Sequence, residues 1–281
     1  MNKKRTLSCR GHLHFVGLTD KGMVRPNNED AILTDLETGL VLAADGMGGY
    51  KAGEIASSIA VETIHEFVTQ GLDEARRQIG VSDSGYSPES ALLRDAITRA
   101  NEAIHDAAKN QPQCDGMGTT VVAALFHDNR VSIAHVGDSR VYRLRRGLFE
   151  QITIDHSLLQ ELVARGIYTS EEARKSLNRN LVTRALGIEP TVQVDLQEDV
   201  ALPGDIFLLS TDGLQDMVPD PDIHLTVDTF SDNLEIAAKQ LVKLANDNGG
   251  RDNISVVLAS PITSFESAKK SFFERITSRF S

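Results

Sequence analysis

Four acids in this chain stand at the mouths of apolar runs, each beside a glycine or an asparagine: Asp45-Gly46, Gly137-Asp138, Asp212-Gly213 and Asp252-Asn253. A carboxylate at the end of a buried strand has lost much of its water, which is costly unless a cation or hydrogen bonds compensate it. If the four converge, their like charges repel, and some must take up a proton or share a cation. Oxygen ligands alone suit hard octahedral ions, Mn²⁺ or Mg²⁺, and the sequence offers no His/Cys cluster at zinc spacing. Two such ions about 3.5–4 Å apart activate a water and clamp a displaced phosphoryl group. Phosphate monoesters need accelerations of up to ~10²¹, so this much charge is in proportion to the task. A single strand ending in a solvated acid would be unremarked surface; the fourfold recurrence argues for a shared site.

The elements that would position these acids follow from the pattern of apolar residues. Leu40 to Gly49, LVLAADGMGG, reads as a short buried strand running into a glycine-rich turn. Before it, His12–Leu18 and Ala31–Leu36 read as strands pairing with it, with Arg25, Glu29 and Asp30 in the loop between. Lys51–Thr69 has helical spacing, with Ala56, Ala60, Thr63, Ile64 and Phe67 on one face. Ser87 is placed to cap a second helix with Pro88 at its first position. Thr119–Phe126, Arg130–Val136 and Ser139–Leu144 follow closely enough to form an antiparallel meander, with Leu148–Thr153 as a further strand. Residues 155–187 break the series: short helices around Ser157–Ala164 and Ser170–Ser176, then NRNLVTRALG, predict a surface flap. Thr191–Leu196, Asp205–Thr211 and Ile254–Ala259 are strands, and Leu234–Ala245 is a helix. Grouped strands with paired helices between them predict antiparallel sheets flanked by helices, not a parallel βαβ sheet.

Composition narrows the function classes. Among 281 residues, 29 Lys and Arg stand against 40 Asp and Glu, a formal charge of −11. That excludes non-specific nucleic-acid binding by the body, and it demands a local positive centre for an anionic substrate. Two cysteines, Cys9 and Cys114, give no disulfide framework, and the start lacks the apolar stretch of a signal peptide, so a cytoplasmic setting is expected. Rival motifs fail on spacing. A dinucleotide GxGxxG from Gly46 needs glycine at 51, where Lys51 stands. There is no Gly-Lys-Ser/Thr of a P-loop and no GxSxG elbow.

With these residues in hand, the chain resembles the bacterial metal-dependent protein serine/threonine phosphatases of type 2C. The likeness rests on an ordered series spanning Phe15 to Ala259: VRPNNEDA, VLAADGMGG, GMGTT, HVGDSRVY, DHSLLQELVARG, RNLVTRALG, LLSTDGL and GGRDNISVV. It implies an α+β fold, a central sandwich of two antiparallel sheets with helices on both outer faces. It implies phosphoserine and phosphothreonine on proteins as substrates, hydrolysed in one step without a phosphoenzyme by a water bridging two Mn²⁺ or Mg²⁺ ions. Residue by residue, Asp45 matches the acid that bridges the two ions, and the Gly46 carbonyl ligates one of them. Asp212 and Asp252 match ligands of the other. Asp138 with Asp212 matches a third, weaker site. Glu29 and Asp30 match acids that support the ions and their waters, Asn253 orients Asp252, and Arg25 matches the arginine that grips the substrate phosphate. Asp45, Asp212 and Arg25 thus carry the catalytic expectation. Two departures stand out. Met47 replaces the histidine that animal members carry after Asp-Gly, which leaves a bound water or His156 as proton donor. The flap also lacks the His-Pro of many bacterial relatives, reading Ser176-Leu177-Asn178-Arg179-Asn180 instead.

The expected organisation is a phosphatase domain over 1–260, with the flap at about 155–190, and an amphipathic tail over 261–281. In the tail Phe265, Phe272, Ile276 and Phe280 recur at helical spacing among Lys269, Lys270, Arg275 and Arg279. That pattern suits packing on its own domain, docking to a partner, or lying on a membrane surface. The expected partners are phosphoproteins and a Ser/Thr kinase whose marks the chain removes, with the chain itself a monomer. Three alternatives differ in class or target. One is the same chemistry on a dedicated anti-sigma-type regulator; one is a non-catalytic phosphoprotein-binding module, which would lack the acids; one is a two-metal nuclease or small-molecule phosphatase.

Overall fold

The computed structural model describes residues 11–49, 51–78, 85–169 and 181–265. One sheet has the order β1 (Leu13–Asp20), β11 (Ile254–Pro261), β10 (Ile206–Ser210), β7 (Arg140–Arg145) and β8 (Leu148–Gln151). The other has the order β2 (Asp30–Asp35), β3 (Leu40–Met47), β5 (Val121–His127), β6 (Arg130–Val136) and β9 (Asp195–Val200), with the two-residue β4 (Gly118–Thr119) on the end of β3. Every pairing is antiparallel.

Period-two alternation explains the layering. Val41 and Ala43 of β3, Val122, Ala124 and Phe126 of β5, and Phe207 and Leu209 of β10 meet between the sheets. The alternate residues Leu40, Leu42 and Ala44 face α1 (Ala52–Ala75) and α2 (Pro88–Asn110). Leu208, Val256 and Leu258 face α5 (Asp220–Thr229) and α6 (Leu234–Asp247) on the opposite outer surface. The helix–sheet–sheet–helix stack expected from the sequence is therefore present. Among the described residues no helix is long and apolar enough to cross a membrane.

Several local expectations are corrected. The first strand does not pair with β3: β1 joins β11 in the other sheet, and only β2 pairs with β3. The nine residues between β1 and β2 are too many for a tight hairpin; they cross the end of the sandwich. Nor is the run from β5 to β7 a single meander. The chain changes sheets at Gly137-Asp138-Ser139, so β6 pairs with β5 and β9 while β7 pairs with β8 and β10.

α1 buries the row Ala52, Ala56, Ala60, Ile64, Val68 and Leu72, leaving Phe67 at the surface, and it runs past Gly71 to Ala75. Gly71 is no stop signal: a Cβ there would lie 2.4 Å from Leu92 Cδ1 of α2, so glycine lets the two helices close. The strand expected at Thr191–Leu196 forms instead at Asp195–Val200, because Val192 and Val194 pack against the α1–α2 layer. α5 was not foreseen, although Pro219-Asp220-Pro221-Asp222 is a fair start signal. In the flap, α3 (Leu158–Ala164) is present, its Ser157 Oγ accepting from Gln160 N at 3.3 Å. The expected second flap helix, Ser170–Ser176, and the Arg179-Asn180 stretch lie outside the described residues.

The body does not end at Ser260. Beyond it Ile262 N–H donates to His12 O at 2.7 Å and Phe265 N–H to Asn129 Oδ1 at 2.7 Å. The Phe265 ring, 9% exposed, meets Phe126 at 6.4 Å and plugs the layer between the sheets. Truncation after Ser260 removes that ring and costs about 3–5 kcal/mol. By differential scanning calorimetry that loss reads as a fall of about 10 °C. Residues 266–281, with the rest of the expected amphipathic face, lie outside the described residues.

Candidate metal centre

At one end of the sandwich the inter-sheet alternation continues past the apolar core into polar side chains. Two residues beyond Ala43 stands Asp45. Two before Ile32 stands Asp30, two beyond Leu209 stands Thr211, two before Val257 stands Ser255, two before Val122 stands Thr120, and two before Val141 stands Ser139. One apolar layer thus ends in a ring of carboxylates and hydroxyls contributed by both sheets.

The ring is wired together. Asp30 and Asp45 are directly opposed across the β2–β3 ladder, a placement that like charges disfavour. Asp30 Oδ2 accepts from Thr211 Oγ1 at 2.9 Å and from Ser255 Oγ at 2.7 Å, so it ties sheet to sheet. Thr211 N–H donates to Ser255 O, and Thr211 precedes the short helix α4 (Asp212–Gln215), which sets Asp212 at its first position. Asp45 N–H donates to Thr120 Oγ1 at 3.2 Å, and Thr120 Oγ1 meets Ser139 Oγ at 2.7 Å, next to Asp138. Asp138 O accepts from Gln215 Nε2 at 3.0 Å. Gly46 N–H donates to Glu29 O at 3.1 Å.

The loop between β1 and β2 is fastened on the same end. Asn253 Oδ1 accepts from Glu29 N at 2.7 Å, while its Nδ2 donates to Lys21 O and Asn27 O. Asn253 therefore clamps this loop, and its own N–H donates to Asp252 Oδ1 at 2.9 Å. Arg25 donates through an Nη to Asp252 Oδ2 at 2.6 Å, with half of its side chain in solvent.

The electrostatics are those of an anionic nest. Burial, then Asp30, Asp212, Asp138 and Asp252, push the Asp45 carboxyl well above its ordinary range. Asp212 is raised in the same way, by burial and then by Asp138, Asp216, Asp252 and Asp30. Burial lifts Asp30 to about 7 against the pull of its two hydroxyl bonds, and lifts Asp138 to about 6 with Asp155 adding to it. Asp30 Oδ1 and Asp212 Oδ1 are buried with no hydrogen-bond partner. Orphaned buried carboxylate oxygens among mutually repelling acids fit divalent cations held by oxygen. Among the described residues the three ligand atoms that lie within 4.8 Å of one another belong to His135, His156 and Asp195, outside this nest.

The structure therefore brings Arg25, Glu29, Asp30, Asp45, Gly46, Asp138, Asp212, Asp252 and Asn253 to one end of the sandwich. His156 sits at the base of the flap, against Gly137 next to Asp138 and against His135, Arg184 and Asp195. Sequence reasoning missed Thr120, Ser139, Thr211, Ser255 and Gln215, which hold the acids, and Asp216, which adds to the field on Asp212 and Asp138. A signal existed for the hydroxyls. Each continues the two-residue spacing of a strand's buried apolar row, and a buried hydroxyl needs a partner.

Known proteins resemble this chain in sequence and fold. The sequence profile described as "Protein phosphatase 2C" matches residues 25–246. The Mycobacterium tuberculosis serine/threonine protein phosphatase PstP is 37% identical over 258 residues, which cover 89% of this chain and 45% of that protein. This chain thus spans less than half the length of that relative. The Listeria monocytogenes serine/threonine phosphatase stp is 35% identical over 249 residues, 88% of this chain and 95% of that one. The crystal structure of the PstP catalytic domain with two manganese ions superposes with a TM-score of 0.76 at 35% identity, covering 90% of this chain and 99% of that one.

Proposed function

The chain belongs to the protein phosphatase 2C family, and from that premise we propose that it hydrolyses phosphoserine and phosphothreonine on proteins in a metal-dependent reaction. The observation that carries this is the nest itself, in which two buried carboxylate oxygens, Asp30 Oδ1 and Asp212 Oδ1, have no partner. A module that only bound phosphoproteins would have no use for so many uncompensated acids.

In this reading Asp45, the Gly46 carbonyl, Asp212 and Asp252 hold two Mn²⁺ or Mg²⁺ ions, and Asp138 with Asp212 holds a weaker third. When bound, the ions supply a water activated at neutral pH and neutralise charge on the phosphoryl oxygens. The chain's own groups do the rest. Asp30 and Glu29 stand behind the ligands as acceptors, with Thr211 and Ser255 fixing Asp30. Asn253 holds Asp252 in register with the substrate loop. Arg25 supplies the positive centre that the overall charge of −11 lacks. Its guanidinium exchanges the exposed contact with Asp252 for two phosphoryl oxygens, a match its planar fork suits. The relatives' names support a serine/threonine specificity, and the expected counterpart is a Ser/Thr kinase. The flap over 155–190 is proposed as the part that meets substrate protein.

The test is phosphate release from a phosphothreonine peptide with Mn²⁺, set beside a nucleotide substrate. Peptide turnover that vanishes on chelation is expected; preference for the nucleotide would sink the assignment. Arg25→Ala is expected to raise KM for the peptide by about 10–100-fold, the 1.5–3 kcal/mol of a charge-assisted hydrogen bond. The fall in kcat should be smaller, and an unchanged KM would remove Arg25 from the phosphate.

A further inference from the structure

We propose that His156 is a positioning residue that fixes the turn carrying Asp138, and not the proton donor of the reaction; the proposal rests on the phosphatase reading above. His156 closes a two-point bracket on Gly137. Its backbone N–H donates to Gly137 O at 2.9 Å, and its ring Nδ1 accepts from Gly137 N–H at 3.1 Å. The residue so gripped is the one before Asp138. Gly137 has φ +112°, and a Cβ there would lie 2.6 Å from Thr120 Cβ, so the turn is wedged between Thr120 and the histidine. Thr120 in turn receives Asp45 N–H. The ring thus reaches Asp138 through one hydrogen bond to the residue before it, and Asp45 through three successive contacts by way of Gly137 and Thr120.

The other side of His156 belongs to the flap. His156 O accepts from Thr183 N–H at 2.8 Å, and Leu158 N–H donates to Leu181 O at 2.9 Å. The preceding residue, Asp155, accepts three contacts of 2.6–3.1 Å from the Arg140 guanidinium. The flap's departing and returning segments are therefore joined at His156, at the point where it touches the Asp138 turn.

The ring is unsuited to donate a proton to a leaving alkoxide. With Nδ1 accepting from Gly137, its own proton is on Nε2, which faces Asp195 Oδ2 at 3.4 Å. It stacks on His135 with centroids 4.5 Å apart. Burial, followed by His135 and Arg184, holds it down at about 4, so it is neutral in the working range. The trio His135, His156 and Asp195 has the spacing of a cation site, but the cation is already supplied by the chain. Arg184 donates through an Nη to Asp195 Oδ1 at 2.6 Å, and stands 3.2 Å from His156 Nε2 as a charge beside the ring and not as a hydrogen-bond donor to it.

Two substitutions separate the roles. His156→Asn keeps an acceptor near the position of Nδ1 and abolishes any imidazole chemistry. His156→Leu removes both. Each is assayed for Mn²⁺ binding by titration calorimetry and for phosphothreonine-peptide turnover across pH 6–9. For the leucine variant, weakest-site Mn²⁺ affinity is expected to fall by about tenfold or more, as for lost support of a metal ligand. The asparagine variant should bind Mn²⁺ and turn over within about threefold of the parent, with the same pH profile. Loss of turnover and of the alkaline limb in His156→Asn, with Mn²⁺ binding intact, would return the proton to the ring and overturn the proposal. Wild-type Mn²⁺ binding in a folded His156→Leu would overturn it equally. If leucine prevents folding, the asparagine result alone decides. A parent protein that binds Mn²⁺ but leaves the peptide untouched would count against the phosphatase reading, not against the bracket.

Discussion

Asp45→Asn is expected to abolish Mn²⁺-dependent hydrolysis of a phosphothreonine peptide, by about 10³-fold or more, while leaving the protein folded. The magnitude follows from the several kcal/mol that bound metal supplies to a developing phosphoryl charge, at 1.36 kcal/mol per decade. Folding should survive because Asp45 makes its structural contacts through the main chain. Its N–H donates to Thr120 Oγ1, and its O accepts from Thr120 N and Thr119 Oγ1. The side chain adds mainly repulsion, facing Asp30 across the ladder and feeling Asp212, Asp138 and Asp252. An amide of the same shape lacks that repulsion. Hence, without metal at pH 7.5, the variant is expected to melt no lower than the parent, and with Mn²⁺ the parent's rise in melting temperature should be largely missing. This pair of readouts distinguishes loss of a ligand from loss of fold. An active Asp45→Asn enzyme, or one whose metal-induced stabilisation matches the parent's, would contradict the bridging role.

How much of this was legible in the sequence differs by residue. The acids were, because an acid beside glycine at the end of an apolar run is a local signature that needs no partner to be noticed. The layering was also legible, since period-two strands and period-3.6 helices each declare one buried face. Pairing was not. β1 and β2 are neighbours in sequence but belong to different sheets, and the choice is made by β11, more than two hundred residues away, whose Ser255 meets Thr19. The same holds for the switch at Gly137-Asp138-Ser139. Its meaning depends on Thr120, Gln215 and His156, none of which is local to it. His156 shows the limit most clearly. A histidine near the flap was a fair donor candidate by residue type, and only the bond from Gly137 N–H fixes which nitrogen carries its proton.

Metal binding near neutral pH is expected to release protons and to change the sign of the protein's pH dependence. Asp30 at about 7 and Asp138 at about 6, with Asp45 and Asp212 raised further by burial and by one another, mean that the metal-free nest keeps protons at pH 6.5. Divalent ions take the carboxylate form, so they displace about one to two protons there, and apparent affinity rises about tenfold per pH unit for each. A folded pKa above the unfolded one contributes stability below about 3.8 that is lost as pH rises through 6–7. His127 and His156, both held at about 4 by burial, act oppositely: for them stability is present above about 6.5 and is lost as pH falls towards 4. Over about pH 4–6 the four raised carboxyls outnumber the two depressed histidines, so the metal-free protein should lose stability as pH rises through that range. Loaded with metal, the ions replace the protons, the acid penalty at neutral pH disappears, and the optimum moves to about pH 7 or above. At a hundredfold excess over Kd the added stability is about 2.7 kcal/mol, roughly 5–10 °C in melting temperature for a chain of this size. Calorimetric titration with Mn²⁺ in two buffers of different ionisation enthalpy measures the proton count directly. Heats independent of buffer at pH 6.5 would mean that the acids are already ionised and apart, and the nest would not be the site of the chemistry.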